Sequence, residues 1–133
     1  MTLVDTTVWV DHLKNTITPP VAWLRETVAS HRGRNLTGDP ILCEVLQGLS
    51  TEREATAVEG VLRRHQVVSL VSPDLASKAA ANDRDLRRQG LTVRKTIDMP
   101  IGTYCLEHGH TLLHSDRDFD RMERHLGLSV VRP

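Results

Sequence analysis

The sequence predicts an α/β domain in which about five short strands interleave with seven helices, giving a mostly parallel sheet covered on both faces. Three observations carry this. Short apolar segments alternate with helical periodicity from one end of the chain to the other, with no linker, repeat or low-complexity stretch between them. The 133 residues suffice for one hydrophobic core and not for two, so positions 1–133 read as a single domain. Acidic residues stand at the strand-to-helix junctions, where open α/β sheets gather their ligands.

The first strand is Leu3-Val4, followed by a helix carrying Val8, Trp9, Val10 and Leu13 that Thr6 or Thr7 can cap. Pro19-Pro20 opens a second helix in the manner of first-turn prolines, with Val21, Leu24 and Val28 on one stripe. Gly33 and Gly38 bracket a second strand, Asn35-Leu36-Thr37. Asp39-Pro40 caps a third helix running to about Gly48, and Thr51 begins a fourth with Val58, Val61 and Leu62. A strand from Gln66 to Val71 follows. Pro73-Asp74 starts a fifth helix that runs to Gly90, a C′ glycine. Asp98 caps a sixth helix, Met99 to His108, closed by Gly109. Thr111-Leu112-Leu113 is a strand, Phe119 to Leu126 the last helix, and Leu128 to Val131 the last strand.

Composition narrows the class. Apolar residues at 39% and charged residues at 26% fit a soluble globular domain. Val67-Val68-Ser69-Leu70-Val71 is among the longest apolar runs, far short of the roughly 20 residues of a membrane helix. Met1-Thr2-Leu3-Val4-Asp5 has neither a basic segment nor a cleavable apolar stretch, so a cytoplasmic location is expected. Cys43 and Cys105 have no metal-type spacing and read as reduced core thiols. The net charge of zero conceals segregation. Setting aside Asp5, Glu44, Asp98, Asp116 and Asp118, 17 − 5 = 12 acids face 17 bases, and all the bases but Lys14, Lys78 and Lys95 are Arg. Arg suits bidentate phosphate contact, although a general preference for Arg on solvated helix faces gives the same count.

The acids are the chemical core of the sequence. Asp5 ends the first strand, Asp98 follows Thr96-Ile97, and Asp116 follows Leu112-Leu113-His114-Ser115. At about 100° per residue, Ile41, Leu42, Val45, Leu46 and Leu49 form one apolar arc, and Glu44 lies just outside its edge beside Gly48. Each acid alone has a plain structural explanation as a turn, cap or solvated border residue. Four of them converging would repel one another, and such a group requires a divalent cation. All-oxygen, hard ligands select Mg²⁺ or Mn²⁺, whose usual employment is phosphate-ester chemistry.

Those same segments resemble the PIN-domain ribonucleases, and within them the VapC-type toxins of bacterial toxin–antitoxin pairs. The resemblance spans the chain. It rests on Leu3-Val4-Asp5-Thr6-Thr7-Val8-Trp9-Val10, on Glu44-Val45-Leu46-Gln47-Gly48, on Thr96-Ile97-Asp98, and on His108-Gly109 followed by Leu112-Leu113-His114-Ser115-Asp116-Arg117-Asp118-Phe119-Asp120. It implies a three-layer α/β/α domain and a homodimer. The implied catalytic, metal-holding set is Asp5, Glu44, Asp98 and Asp116, with Asp118 as an accessory acid and the Thr6 and Ser115 hydroxyls nearby. The implied activity is Mg²⁺-dependent cleavage, with Mn²⁺ as a substitute, of RNA in tRNA or ribosomal RNA loops. The implied partner is a VapB-like antitoxin with a basic C-terminal tail. One segment departs from the family, which commonly has a Leu-Ile-Ala-like run where this chain has Met99-Pro100-Ile101-Gly102. Pro in a first turn loses no helical hydrogen bond, and Gly102 weakens the helix by up to about 1 kcal/mol.

Other readings are distinguishable. His108, His110, His114 and Asp116 do not have the spacing of a helical zinc pair, and the adjacent His114-Ser115-Asp116 cannot form a triad because neighbours on a strand face opposite ways. The non-enzymatic alternative is an α/β binding module whose acids hold a structural cation or a basic peptide. Trp9, Trp23, Tyr104 and Phe119 are the only aromatics, so base-stacking platforms are scarce and RNA recognition should rest on shape and phosphate contacts.

Overall fold

Strands joined through helical crossovers return to the sheet in parallel, and that constraint organises the domain. A computed structural model describes residues 1–31 and 34–133. Arg32 and Gly33, the latter expected to open the second strand, lie outside the described residues. The elements are β1 (Thr2–Val4), α1 (Thr6–Leu13), α2 (Pro19–Ser30), β2 (Asn35–Gly38), α3 (Asp39–Gln47), α4 (Glu52–Leu62), β3 (Gln66–Val68), α5 (Pro73–Arg88), α6 (Asp98–His108), β4 (Thr111–Leu113) and α7 (Asp118–Leu126).

The strands run in the order β3-β2-β1-β4, all parallel. Leu3 lies opposite Leu36 on one side and Leu112 on the other, so the centre of the sheet is continuous hydrocarbon. Leu3, Val4, Leu36, Leu112 and Leu113 are each at most 1% exposed, as expected for a sheet covered on both faces. Helices α1 to α4 pack among themselves, as do α5 to α7, giving the three layers.

Local chemistry explains most helix starts. Thr18, Thr51 and Ser72 cap α2, α4 and α5 by accepting from Val21 N, Glu54 N and Leu75 N at 3.3, 3.1 and 3.1 Å. Gly90, Gly109 and Gly127 take the left-handed conformation just past α5, α6 and α7. Gly102 sits where a Cβ would come 2.0 Å from Met122 Cε, so it lets α7 close on α6.

Several expectations are corrected. The expected last strand shrinks to a bridge between Leu112 and Val130, held by Leu112 N to Ser129 O and Val131 N to Leu112 O, both 2.9 Å. Leu128, just past Gly127, is buried in the core. β3 ends at Val68 rather than Val71 because Leu70 N donates to Asp39 Oδ1 at 3.0 Å, leaving the ladder. Asp39 is therefore not the cap of α3; Gly38 holds that position, without a side-chain bond. Cys43 is exposed, since α3 turns Ile41 and Val45 inward and position 43 points away from them; Cys105 is buried as expected. Val21 and Leu24 are covered within the chain itself, and only Val28 of that stripe, at 46%, remains open for a partner.

Candidate active site

Asp5 is the first residue beyond β1 and the N-cap of α1, a role the sequence suggested for Thr6 or Thr7. Its Oδ2 accepts from Thr7 N at 3.1 Å and from Thr7 Oγ1 at 2.6 Å, and its own N–H donates to Leu113 O at 3.0 Å. The carboxylate is thus fixed on the first turn of α1, while the main chain of Asp5 is tied to the end of β4. Thr7 Oγ1 also accepts from Ser115 N at 3.1 Å, which draws the loop after β4 to the start of α1. Thr6 Oγ1 donates to Glu44 Oε1 at 3.2 Å, fixing the carboxylate of α3 toward α1.

Asp98 departs from its expected role. Ile97 is already helical, so the turn starts earlier and Asp98 becomes the first residue of α6 without forming a capping bond. Its side chain is buried, and Oδ2 has no hydrogen-bond partner among the described residues. Buried acceptors are rarely left so, and an orphan oxygen among other acids is a position that a cation or its water can satisfy. Burial, then the charges of Asp5, Asp116 and Asp118, push the Asp98 carboxyl up to about 7, against a smaller opposing pull from Lys95. Burial likewise raises Asp5, opposed by its bonds to Thr7 and Thr6.

The far side of the cluster is built differently. Carboxylate oxygens of Asp98, Asp116 and Asp118 lie within 4.8 Å of one another. Asp116 Oδ1 accepts from Asp118 N at 2.9 Å, and Asp116 N donates to His114 Nδ1 at 3.1 Å. The second bond requires His114 unprotonated at Nδ1, in keeping with the burial that lowers its pKa. Burial alone would raise Asp118, but hydrogen bonds and charge from Arg94, with help from Arg121, hold it below the usual carboxylate range.

A cavity of about 380 Å³ opens over the first group and is lined by Asp5, Thr6, Glu44, Lys95, Asp98 and Ser115, among others. Asp98 belongs both to this cavity and to the Asp116–Asp118 cluster, and so joins the two halves. All five acids and both hydroxyl residues singled out in the sequence therefore meet at one end of the sheet. Thr7, Asp11, Lys95, Arg94 and Arg121 were missed. Arg94-Lys95, two bases directly before Thr96-Ile97-Asp98, was the available signal for two of them. The histidines form no zinc centre among the described residues: His108 and His110 stack 5.7 Å apart beside Tyr104, while His114 rests against Phe119.

The donor set suits a divalent cation. It is all oxygen, partly desolvated, and uncompensated at Asp98, which are the features hard cations require. Asp98, Asp116 and Asp118 bring ligand oxygens within 4.8 Å of one another, and Asp5 and Glu44 line the cavity that Asp98 shares.

Comparison with known proteins agrees with this architecture. Ribonuclease VapC11 of Mycobacterium tuberculosis is 28% identical to this chain over 131 residues, 98% of each protein. The fold is similar to that of a VapBC2 complex from Rickettsia felis bound to a DNA fragment from its promoter, with a TM-score of 0.74 at 13% identity over 98% of this chain and 96% of the other. It is also similar to VapC20 of Mycobacterium tuberculosis, a sarcin-ricin loop cleaving toxin, with a TM-score of 0.69 at 21% identity over the whole of both chains. The PIN domain model matches residues 2–125. With nearly every residue inside that match and the acids gathered beyond the strand ends, the chain belongs to the PIN-domain family.

Proposed function

We propose that this protein is the toxin of a toxin–antitoxin pair, an endoribonuclease that depends on Mg²⁺ or Mn²⁺. The observation that carries the reading is Asp98 Oδ2, unpartnered among the described residues and buried between Asp5 and Glu44 on one side and Asp116 on the other. Buried carboxylate oxygens are usually given a donor, and this one stands near the charges of Asp5, Asp116 and Asp118 instead. Bound among these acids, a divalent cation would supply Lewis-acid stabilisation of the phosphate charge and an acidified water for in-line attack.

The chain's own residues do the rest. Asp5 is held by two bonds from Thr7, and Glu44 by one from Thr6, so the carboxylates are oriented before any ligand arrives. Such supporting bonds fix ligand geometry and matter almost as much as the ligands. Lys95 is the one cation lining the cavity among the described residues, and it draws a phosphodiester toward the acids. No side chain needs to become a covalent nucleophile.

The relatives' names support RNA as substrate, with tRNA or ribosomal RNA loops as the expected class, and support an antitoxin as partner. A basic side chain from the antitoxin's C-terminal tail can enter the cavity and pair with Asp5, Glu44 or Asp98. For the tail's apolar face, a groove of about 630 Å³ runs along α5 and the start of α6, lined by Val71, Ala76, Val93, Ile97 and Met99. The homodimer and the cytoplasmic location belong to the same reading.

Mapping new 5′ ends across cellular RNA after brief induction, beside an Asp5→Asn control, tests it. Discrete new ends that the control lacks are expected. An unchanged end profile, or the same profile from the control, overturns the assignment.

A further inference from the structure

The Asp118 side chain is only 3% exposed, yet both of its oxygens are already committed. Oδ2 accepts from Arg94 N at 3.2 Å and from Arg94 Nε at 3.1 Å, and Oδ1 accepts from Arg121 Nη1 at 3.2 Å. Arg121 Nη1 also donates to Thr92 O, so the segment before α6 is tied down at two points. A carboxylate neutralised on both oxygens by guanidinium groups is a poor ligand for a further cation, although it lies within ligand distance of Asp98 and Asp116.

Arg94 itself is bound at one end and free at the other. Its backbone and Nε are fixed on Asp118, while its side chain as a whole is 74% exposed. Nη2 stands 3.8 Å from Asp116 Oδ1, too far for a hydrogen bond and near enough to feel the charge. Among the described residues the terminal nitrogens are therefore unspent donors, held beside the acids on a rigid stem. Prior immobilisation removes much of the entropy loss that a long side chain incurs on binding. Paired guanidinium N–H groups match two phosphate oxygens. Lys95, the next residue, lines the cavity on the Asp5–Glu44 side, so adjacent bases serve opposite halves of the site.

We infer that Arg94 is the phosphate-binding clamp of this cleft and that Asp118 is its positioning residue, withdrawn from the cation. This role presupposes that the cleft is a ribonuclease site. Asp118 then serves substrate binding in place of the accessory metal role expected for it.

The test uses the full chain, a fluorescein-labelled oligouridylate in EDTA across a salt series, and Mn²⁺ binding followed by electron paramagnetic resonance. Arg94→Ala should weaken RNA binding by about tenfold or more. It should also lower the slope of log affinity against log salt by about 0.7, the value of one phosphate contact on a single strand. Arg94→Lys should restore the slope but only part of the affinity, because it returns charge without the fork. Asp118→Asn should reproduce the RNA defect, with Mn²⁺ affinity within about twofold of wild type, and should add little to Arg94→Ala. If Asp118→Asn does not fold, the exposed Arg94 variants carry the test alone. An Arg94→Ala protein with unchanged RNA affinity and slope, and tighter Mn²⁺ binding, would mean that Arg94 only neutralises the acids. A loss of Mn²⁺ affinity of about tenfold in folded Asp118→Asn would make Asp118 a ligand. Either result overturns the inference. Wild type that cleaves no RNA with Mn²⁺ instead defeats the ribonuclease reading, which keeps the two failures apart.

Discussion

Asp98 and Asp118 are both buried, lie within ligand distance of each other, and have opposite electrostatics. Asp98 has an oxygen with no donor among the described residues, and its carboxyl is raised to about 7 by burial and by neighbouring acids. Asp118 is desolvated as well, yet Arg94 and Arg121 bring it below the ordinary range. Burial is common to both, so partners decide the difference. One carboxylate is left in want of a cation, and the other already has two.

The largest expected effect strikes the unpaired half. Asp98→Asn or Asp5→Asn should lower RNA cleavage by at least about a thousandfold while the chain stays folded, and chelation of divalent cations should do the same to wild type. Initial rates on a labelled RNA, with circular dichroism as the folding control, measure it. Near-normal cleavage by either variant would remove these carboxylates from the chemistry.

Stability against pH separates the two acids next. The folded Asp98 carboxyl titrates at about 7 against an ordinary 3.8, so the folded chain holds the extra proton between those values. The contribution of Asp98 to the stability of the chelated protein should then fall as pH rises from about 4 through about 7. Asp5, raised too, acts in the same direction. Asp118 has the opposite sign: its stabilisation is present above its ordinary pKa and is lost only as pH falls through the depressed value. His12, His65, His110 and His114 are held below their ordinary value, chiefly by burial, and pull the other way between about pH 5 and about pH 8, so Asp98 is read by difference. In EDTA, the Tm of Asp98→Asn relative to wild type should be higher at about pH 8 than at about pH 5, and Mn²⁺ should raise the wild-type Tm more at the higher pH. A Tm difference between Asp98→Asn and wild type that is the same at both pH values would refute the strained state of Asp98.

The supporting hydroxyls should matter less. Thr7→Val deletes the 2.6 Å bond to Asp5 and the acceptor of Ser115 N, and is expected to weaken Mn²⁺ binding by about 10- to 100-fold. Thr6→Val removes one longer bond to the half-buried Glu44 and should fall at or below the lower end of that range. Calorimetric titration with Mn²⁺ ranks the two, and the reverse order would mean that Glu44 rather than Asp5 anchors the cation.

The same contrast marks what could be read from sequence. Asp5 and Asp116 announced themselves because they follow the ends of β1 and β4, a local feature, whereas Asp98 follows no strand and was found as the residue that opens α6. Glu44 followed from helical periodicity at the edge of α3. The starts of α2, α4 and α5 were legible from Pro19-Pro20, Thr51 and Pro73, each local to the helix it opens, whereas the caps expected for α1, α3 and α6 were not the ones found. Pairings across long separations were not legible. Arg94 meets Asp118 across 24 residues, and Leu70 leaves β3 for Asp39 across 31. Nothing local in either segment encodes such a choice, and so the expected β3 was too long and the guanidinium partners of Asp118 went unseen. Asp98 as a cap was a related error. Its position was right, but the turn beginning at Lys95 had already started the helix.

The smallest effect provides the control for the comparison. Asp98→Asn is expected both to stabilise the chelated protein and to abolish cleavage, so added stability could itself be blamed for lost activity. Gly60 separates the two. It lies within α4, exposed, with no heavy atom within 4 Å of where a methyl group would stand and no positive φ, so alanine fits without displacing anything. Glycine inside a helix is about 1 kcal/mol less favourable than alanine, largely through the backbone freedom it loses on folding. Gly60→Ala should therefore raise Tm by a few degrees. Helix α4 contributes no residue to the cavity, and cleavage and Mn²⁺ affinity should stay at wild-type values. A stabilised Gly60→Ala with full activity assigns the loss in Asp98→Asn to the missing carboxylate. If Gly60→Ala instead lost activity in proportion to its added stability, rigidity and not charge would govern turnover, and the contrast between Asp98 and Asp118 would lose its meaning for function.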